Sequence, residues 1–485
     1  MSADPASDPD PKTDSRSNHA DGDAAGHDVG HADGPLRRPA IPVVDARREQ
    51  PAILAELRDR LSPRGDLVSP RGRELTRQVF GEALSPIAVV DRICDDIESG
   101  GTPALLRYTR ELDGADLGVD DLRVAPEELA AAHAGADDAF LQTVRRIADN
   151  VREFQSAILH SDVTVCPRPG VRLTQRYVPI RRVGVCIPGG AAAYPSSVLM
   201  TVVPAQVAGV DQIAIMAPPT AFGSYNDDLL ATCHELGVTE VYRMGGAQGI
   251  AAFAHGTDAV PAVDKIVGPG NLFVALAKKK LFGIVDIDSF AGPSEVVVIA
   301  DSTARPDFVA IDLMAQAEHS PGSAILITTD ETLPDRVLDA LADLLSRVPR
   351  SDLTLPSLES FGAMIVVADD DAACRMTDSF APEHLHIETA DPRSMIERIR
   401  NSGAAFLGHH TPVALGDYAA GPSHVLPTGG TCTWAQGLSS NSFLRSGSIT
   451  EFDASATAAI ADDVINLAEK EGLSAHAESV RMRSS

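Results

Sequence analysis

Three short segments in the second half of the chain carry residue types that move protons and bind metals. They are Gln316-Ala-Glu-His319, Pro382-Glu383-His384, and the stretch from Gly416-Asp417 to His424. Gln316 and His319 are three apart at the end of an expected helix, so their side chains share a face, with Glu318 pointing elsewhere. An amide oxygen beside an imidazole nitrogen can hold a metal ion, and a histidine in a last helical turn can equally serve as a cap. Glu383 and His384 sit at the edge of an expected strand. Such a pair can divide acid and base work, since histidine titrates near neutrality, or can be two solvated loop residues. Asp417 and His424 lie in a glycine-rich, aperiodic stretch that reads as a loop, and their donors fit zinc or another divalent ion. His409-His410 lies in an ordinary connection and carries little weight. Glu471 and His476 lie beyond the last expected helix.

These residues need elements to position them. From Arg182 onward, short apolar β-branched runs alternate with helical stretches. Strands are expected at Val183–Ile187, Gln212–Met216, Val241–Met244 and Lys265–Val267, each leading into a helix. A second series has strands at Glu295–Ile299, Ala324–Thr328, Ala363–Val367, His384–Ile387 and Ala404–Leu407. Helices are expected between them at about 306–318, 333–347, 371–379 and 393–401. Strand–helix alternation predicts parallel sheets with right-handed connections and with active loops at the carboxyl ends of the strands. Three glycine turns, at 188–190, 245–246 and 268–270, follow strands of the first series. There the backbone N–H groups of a helix start suit an anion, although glycine also serves tight turns in any such domain. The G-x-G-x-x-G and G-x-x-x-x-G-K-[ST] fingerprints are absent.

The fold class expected is therefore α/β: two Rossmann-like parallel-sheet domains at 182–293 and 294–432. A helical N-terminal part at 41–181 is expected to complete the second domain, with helices such as Ile87–Ile97 and Asp137–Ile158. A C-terminal tail at 433–485 carries a helix over Ala454–Lys470 and ends in a short polar stretch. Residues 1–40 read as a disordered acidic tail, rich in Asp, Pro, Gly and Ser. His19, His27 and His31 fall in it without a clear metal-binding pattern.

Composition removes several function classes. The 485 residues carry a formal charge of −27, which disfavours nucleic acid and anionic membranes as partners. Aromatic residues make up 4% and Trp434 is the single tryptophan, so aliphatic side chains must fill the cores. The six cysteines form no CxxC pair, which suits reduced thiols in a cytoplasm. No run reaches the roughly 18 apolar residues of a membrane span, and the N-terminus lacks the apolar stretch of a secretory signal.

Taken together, Gly-Gly-Ala-Gln248, Gly-Pro-Gly-Asn271, Ala-Gly-Pro-Ser294-Glu, Gln316-Ala-Glu-His319, Pro-Glu383-His384-Leu, Gly-Asp417-Tyr-Ala and Ser-His424-Val-Leu-Pro-Thr428 resemble the histidinol dehydrogenase family. Order and rough spacing hold from about residue 80 to the end. The resemblance implies a zinc-dependent, NAD-linked oxidation of L-histidinol to L-histidine through an aldehyde, the closing step of histidine synthesis. It implies zinc ligands at Gln316, His319, Asp417 and His476, one ion per subunit, with His476 supplied by a partner subunit in a homodimer. Substrate contacts are implied at Ser294, His384, His424 and Glu471 besides the metal ligands, and NAD contacts at Gln248 and Asn271. His384 would take the alcohol proton and Glu383 would activate water for the second oxidation. The first α/β domain would then bind NAD, the second would hold zinc and the catalytic pair, and the tail would dimerise. Cys186 stands at a cofactor-contact position where a tyrosine is usual, and the acidic tail has no counterpart in the family pattern. Two other readings remain open: a metal-dependent hydrolase in which Glu383 activates water without NAD, and a non-catalytic small-molecule binder.

Overall fold

A computed structural model describes residues 37–47, 52–61, 76–189, 192–289, 292–319 and 321–484. The acidic tail up to residue 36, its three histidines, and Gly190 lie outside these residues. Arg38 pairs with Asp335 and Asp339, so ordered contacts begin before residue 41.

Both expected parallel sheets form, within a unit that runs from Arg38 to the C-terminus. In chain order the strands are β1 (Val43–Asp45), β2 (Val163–Val165), β3 (Val171–Pro179), β4 (Arg182–Cys186), β5 (Gln212–Ala217), β6 (Glu240–Arg243) and β7 (Lys265–Val267). They continue as β8 (Asp286–Ile287), β9 (Ser294–Ala300), β10 (Gly322–Thr328), β11 (Gly362–Val366), β12 (His384–Glu388), β13 (Ala404–Leu407) and β14 (Leu444–Phe452). The first parallel sheet has the order β6-β5-β4-β7-β8 and the second β1-β11-β10-β9-β12-β13. Their central strands are buried on both faces, which is why they read as unbroken apolar runs.

The N-terminal part divides between the two sheets. β1 adds to the edge of the second sheet, and Leu54 and Leu57 of the helix Ile53–Leu61 enter that sheet's core. The helix Pro86–Asp113 instead packs on the first sheet, where Val90, Ile93 and Leu105 meet Met216 and Ile250. The helices Pro126–Gly135 and Asp138–Ala157 cover the other face of the first sheet with Val144 and Val151. This corrects in part the expectation that the N-terminal part completes the second domain: β1 and the helix Ile53–Leu61 do so, and the helices from Pro86 to Ala157 do not. Apolar spacing shows that a helix has a buried face but not which sheet receives it.

A third sheet was not expected. It is antiparallel, ordered β14-β3-β2, and joins strands more than 260 residues apart. β14 is almost wholly exposed, so its sequence lacks the apolar alternation that marks a strand. After it come the expected helix Ala454–Lys470 and, in place of a polar tail, the helix Ser474–Ser484. The helix Ser351–Phe361 was also missed, and the helix expected at 393–401 is only Pro392–Ile396.

The turn at Gly268 requires glycine. Its φ is +105°, and a Cβ there would lie 2.3 Å from the Cys186 carbonyl oxygen. Gly268→Ala is expected to cost more than about 2 kcal/mol through combined strain and clash, seen as a lowered thermal midpoint. An unchanged melt would contradict this account of the turn.

Candidate functional site

The chemistry-bearing residues gather at the amino ends of the second sheet's strands. Ser294 and Glu295 open β9, and His384 opens β12, paired with Val296 and Ala404. The helix Pro306–Ala317 runs back from the carboxyl end of β9 and delivers Gln316 and His319 to the same edge. This corrects the expectation of carboxyl-end loops for that sheet: a helix after a parallel strand ends at the strand's amino side. Facing this edge is the carboxyl edge of the first sheet, through residues 192–196 after β4. A cleft of about 460 Å³ separates them, lined by Gln316, His319, Asp417, Tyr194 and Arg350 among others. Glu318 also lines it, contrary to expectation, because the cleft wraps around the helix end.

Glu383 and His384 are not solvated loop residues; they are 5% and 4% exposed. The Glu295 backbone N–H donates to Glu383 Oε2 at 2.9 Å, and the Ser294 hydroxyl also bonds this carboxylate. Burial pushes the Glu383 carboxyl well above the usual carboxylate range. His384 Nδ1 lies 3.3 Å from the Glu295 carbonyl oxygen. An N–H donated there leaves the lone pair on Nε2, which is buried, has no hydrogen-bond partner among the described residues, and lies 3.7 Å from Asp417 Oδ1. Burial, helped by nearby His319 and His424, pushes the His384 imidazole down to about 3, so it is neutral at physiological pH. Glu295 and Arg58, which sequence reading missed, brace the pair. Glu295 is 1% exposed and pairs with the Arg58 guanidinium, which stacks over Phe380 at 3.9 Å. Glu295 follows Ser294 in a recognised motif, but nothing in the sequence marks Arg58.

Asp417 lies not in a loop but on the short helix Val413–Tyr418, a correction to the sequence reading. One and a half turns are too short for periodicity to register, and Gly416 is needed because a Cβ there would lie 2.6 Å from the Phe406 ring. Burial raises the Asp417 carboxyl to about 6. His424 is anchored at both nitrogens: Nδ1 lies 2.9 Å from the Asp417 carbonyl oxygen and Nε2 lies 3.3 Å from Ser197 Oγ. Burial lowers its imidazole to about 4. Gln316 is 4% exposed, and its Nε2 has no hydrogen-bond partner among the described residues. The His319 ring reaches solvent through the cleft, yet the protein crowded around it, with Arg350, lowers its imidazole. Gln316, His319 and Asp417 line one cleft, and an amide oxygen, an imidazole nitrogen and a carboxylate are a donor set that fits a divalent ion.

Other sequence-derived residues are placed apart. Gln248 is 1% exposed and donates Nε2 to Asp113 Oδ2 at 3.0 Å. Asn271 caps the helix Leu272–Leu281 by accepting from the Phe273 and Val274 amides. Both line a hollow of about 260 Å³ with Asp113, Gly246 and Phe273. Cys186 does not line it; its side chain is in the core with Met216 and Ala247, where burial pushes the thiol up to about 12. Glu471 and His476 are exposed on the C-terminal helices, away from the cleft of their own chain.

Known proteins resemble this chain over most of its length. The family model for histidinol dehydrogenase matches residues 81–484. The chain is 68% identical over 448 residues to the histidinol dehydrogenase of Rhodopirellula baltica, covering 92% of this chain and 97% of that protein. It is 44% identical over 397 residues to that of Gloeobacter violaceus, covering 82% and 89% respectively. The crystal structure of histidinol dehydrogenase from Elizabethkingia anophelis superposes with a TM-score of 0.82 at 31% identity, covering 92% of this chain and 98% of that one. On sequence and fold, this chain belongs to the histidinol dehydrogenase family.

Proposed function

We propose that the protein oxidises L-histidinol to L-histidine through the aldehyde, reducing two NAD, with one zinc ion at each active site. The observation that carries this reading is His384: a neutral imidazole whose Nε2, without a hydrogen-bond partner among the described residues, lies 3.7 Å from Asp417 Oδ1. Gln316, His319 and Asp417 would hold zinc, which when bound supplies a Lewis acid that fixes the substrate's imidazole and amine. NAD accepts the hydrides, and Gln248 and Asn271 on the first sheet would contact it.

The chain's own residues handle protons and position. His384 Nε2 takes the proton of the alcohol as hydride leaves the carbon, while the Glu295 carbonyl keeps the ring oriented. Glu383, with a carboxyl made more basic by burial, takes a proton from the water that adds to the aldehyde. Ser294 and His424 border the substrate, and the cleft's carboxylates favour its ammonium group.

The fourth zinc ligand would be His476 of the partner subunit, with Glu471 of the partner subunit reaching the substrate. Three features support a homodimer with composite sites. His476 is exposed in its own chain, and the helices that carry it pack on each other and on β14. That arm also exposes Val163, Val165, Ile449, Val464, Leu467 and Leu473. Among the described residues no helix is long and apolar enough to cross a membrane. The six cysteines, all free thiols, suit a cytoplasmic setting.

Purified zinc-loaded protein given L-histidinol and NAD is expected to form NADH, to stop when chelated, and to recover when zinc returns. No NADH would refute the proposal, and turnover without NAD would favour the hydrolase.

A further inference from the structure

We propose that Asp312, His386 and Glu388 bind a second divalent cation, of the zinc or manganese class, in a buried site separate from the Gln316–His319–Asp417 centre. One ligand atom from each of the three lies within 4.8 Å of the others. The residues are 7%, 1% and 0% exposed, respectively. His386 and Glu388 project from the same face of β12 as His384, and Asp312 lies one helical turn before Gln316 on the helix Pro306–Ala317.

The imidazole is oriented with one nitrogen on the backbone and the other on the carboxylates. His386 Nε2 lies 3.1 Å from the Gly408 carbonyl oxygen. An N–H donated there turns the Nδ1 lone pair toward the carboxylates, the usual arrangement behind a metal-binding histidine. Nδ1 then lies 2.6 Å from Asp312 Oδ2 and 3.6 Å from Glu388 Oε1. Acceptors facing one another in a dry interior repel unless a cation sits among them. A proton on Nδ1 can occupy the Asp312 contact, but Glu388 Oε1, also buried, has no hydrogen-bond partner among the described residues, and a cation drawn among the three would satisfy it. One imidazole with two carboxylates matches zinc or manganese better than a soft or purely oxygen-seeking ion. His409 Nδ1, 3.5 Å from Glu388 Oε2, backs the third ligand. Asp312 also lines the active-site cleft, which gives the ion a way in.

Such an ion would tie the helix that carries Gln316 and His319 to the strand that carries His384. It would act as a brace that fixes the spacing between the zinc ligands and the base.

The test uses a full-length His319→Ala/Asp417→Ala variant, in which the proposed catalytic centre is disabled. After chelation and dialysis it is titrated with Zn²⁺, and separately with Mn²⁺, and bound metal is measured by elemental analysis. One equivalent per chain is expected, falling to none when His386→Gln is added. Should that triple variant fail to fold, Glu388→Gln in the same background is read instead. No stoichiometric metal in the double variant overturns the proposal, as does one equivalent that survives loss of His386 or Glu388. Wild type is expected to bind two. If wild type and the double variant bind the same single equivalent, the catalytic zinc centre fails while this site stands.

Discussion

His384→Asn is expected to lower kcat for histidinol by roughly 10²–10⁴-fold, the usual worth of a positioned general base. Bound zinc should stay at its wild-type amount and KM should change little. The expectation rests on what each nitrogen does. Nδ1 is committed to the Glu295 carbonyl, so Nε2 is the free acceptor, and burial keeps it unprotonated. Asparagine can keep a donor near that carbonyl but brings no basic nitrogen to the position of Nε2. Zinc should remain because the proposed ligands are Gln316, His319, Asp417 and His476 of the partner subunit, not His384. Metal analysis beside steady-state kinetics separates the outcomes. If zinc leaves with the imidazole, His384 is a ligand and its assigned role is wrong.

The second large effect concerns the shared site. His476→Ala and Asp417→Ala homodimers should each be nearly inactive, since every site in either lacks one ligand. A mixed dimer would hold one site with both ligands intact and one lacking both. Random reassortment makes half the dimers mixed, so activity should return to about a quarter of the wild-type level for a two-fold symmetric dimer. The isolated chain already points this way: His476 is solvent-exposed on an arm with an exposed apolar face and does not line the cleft that holds Gln316, His319 and Asp417. Verified mixed dimers that stay inactive would place the fourth ligand elsewhere.

Much of this architecture is legible in the sequence where one principle dominates. The central strands of both parallel sheets are buried on two faces, so Ala324–Thr328 and Ala363–Val367 stand out as apolar runs between helical stretches. Gln316 and His319 are legible as a pair because helical spacing puts them together. Legibility fails where position depends on distant partners. β14 reads as polar loop because it is exposed, and its partner β3 is hundreds of residues away. The helices between Pro86 and Ala157 show their apolar faces but not their destination. Glu383 and His384 look like an exposed pair until β9 and Glu295 close over them. Arg58 and Arg350 act through packing that no local pattern announces. The zinc ligand set, the NAD contacts and the partner's His476 came from family resemblance. The geometry of one chain brings Gln316, His319 and Asp417 to a common cleft and leaves Cys186 in the core.

The central claim is a double oxidation of one substrate at a single kind of site. The most direct measurement is the NADH formed per L-histidinol consumed by zinc-loaded enzyme with excess NAD, with the product identified. The account predicts close to two NADH and L-histidine. One NADH with accumulating aldehyde, or consumption of histidinol without NADH, would contradict it.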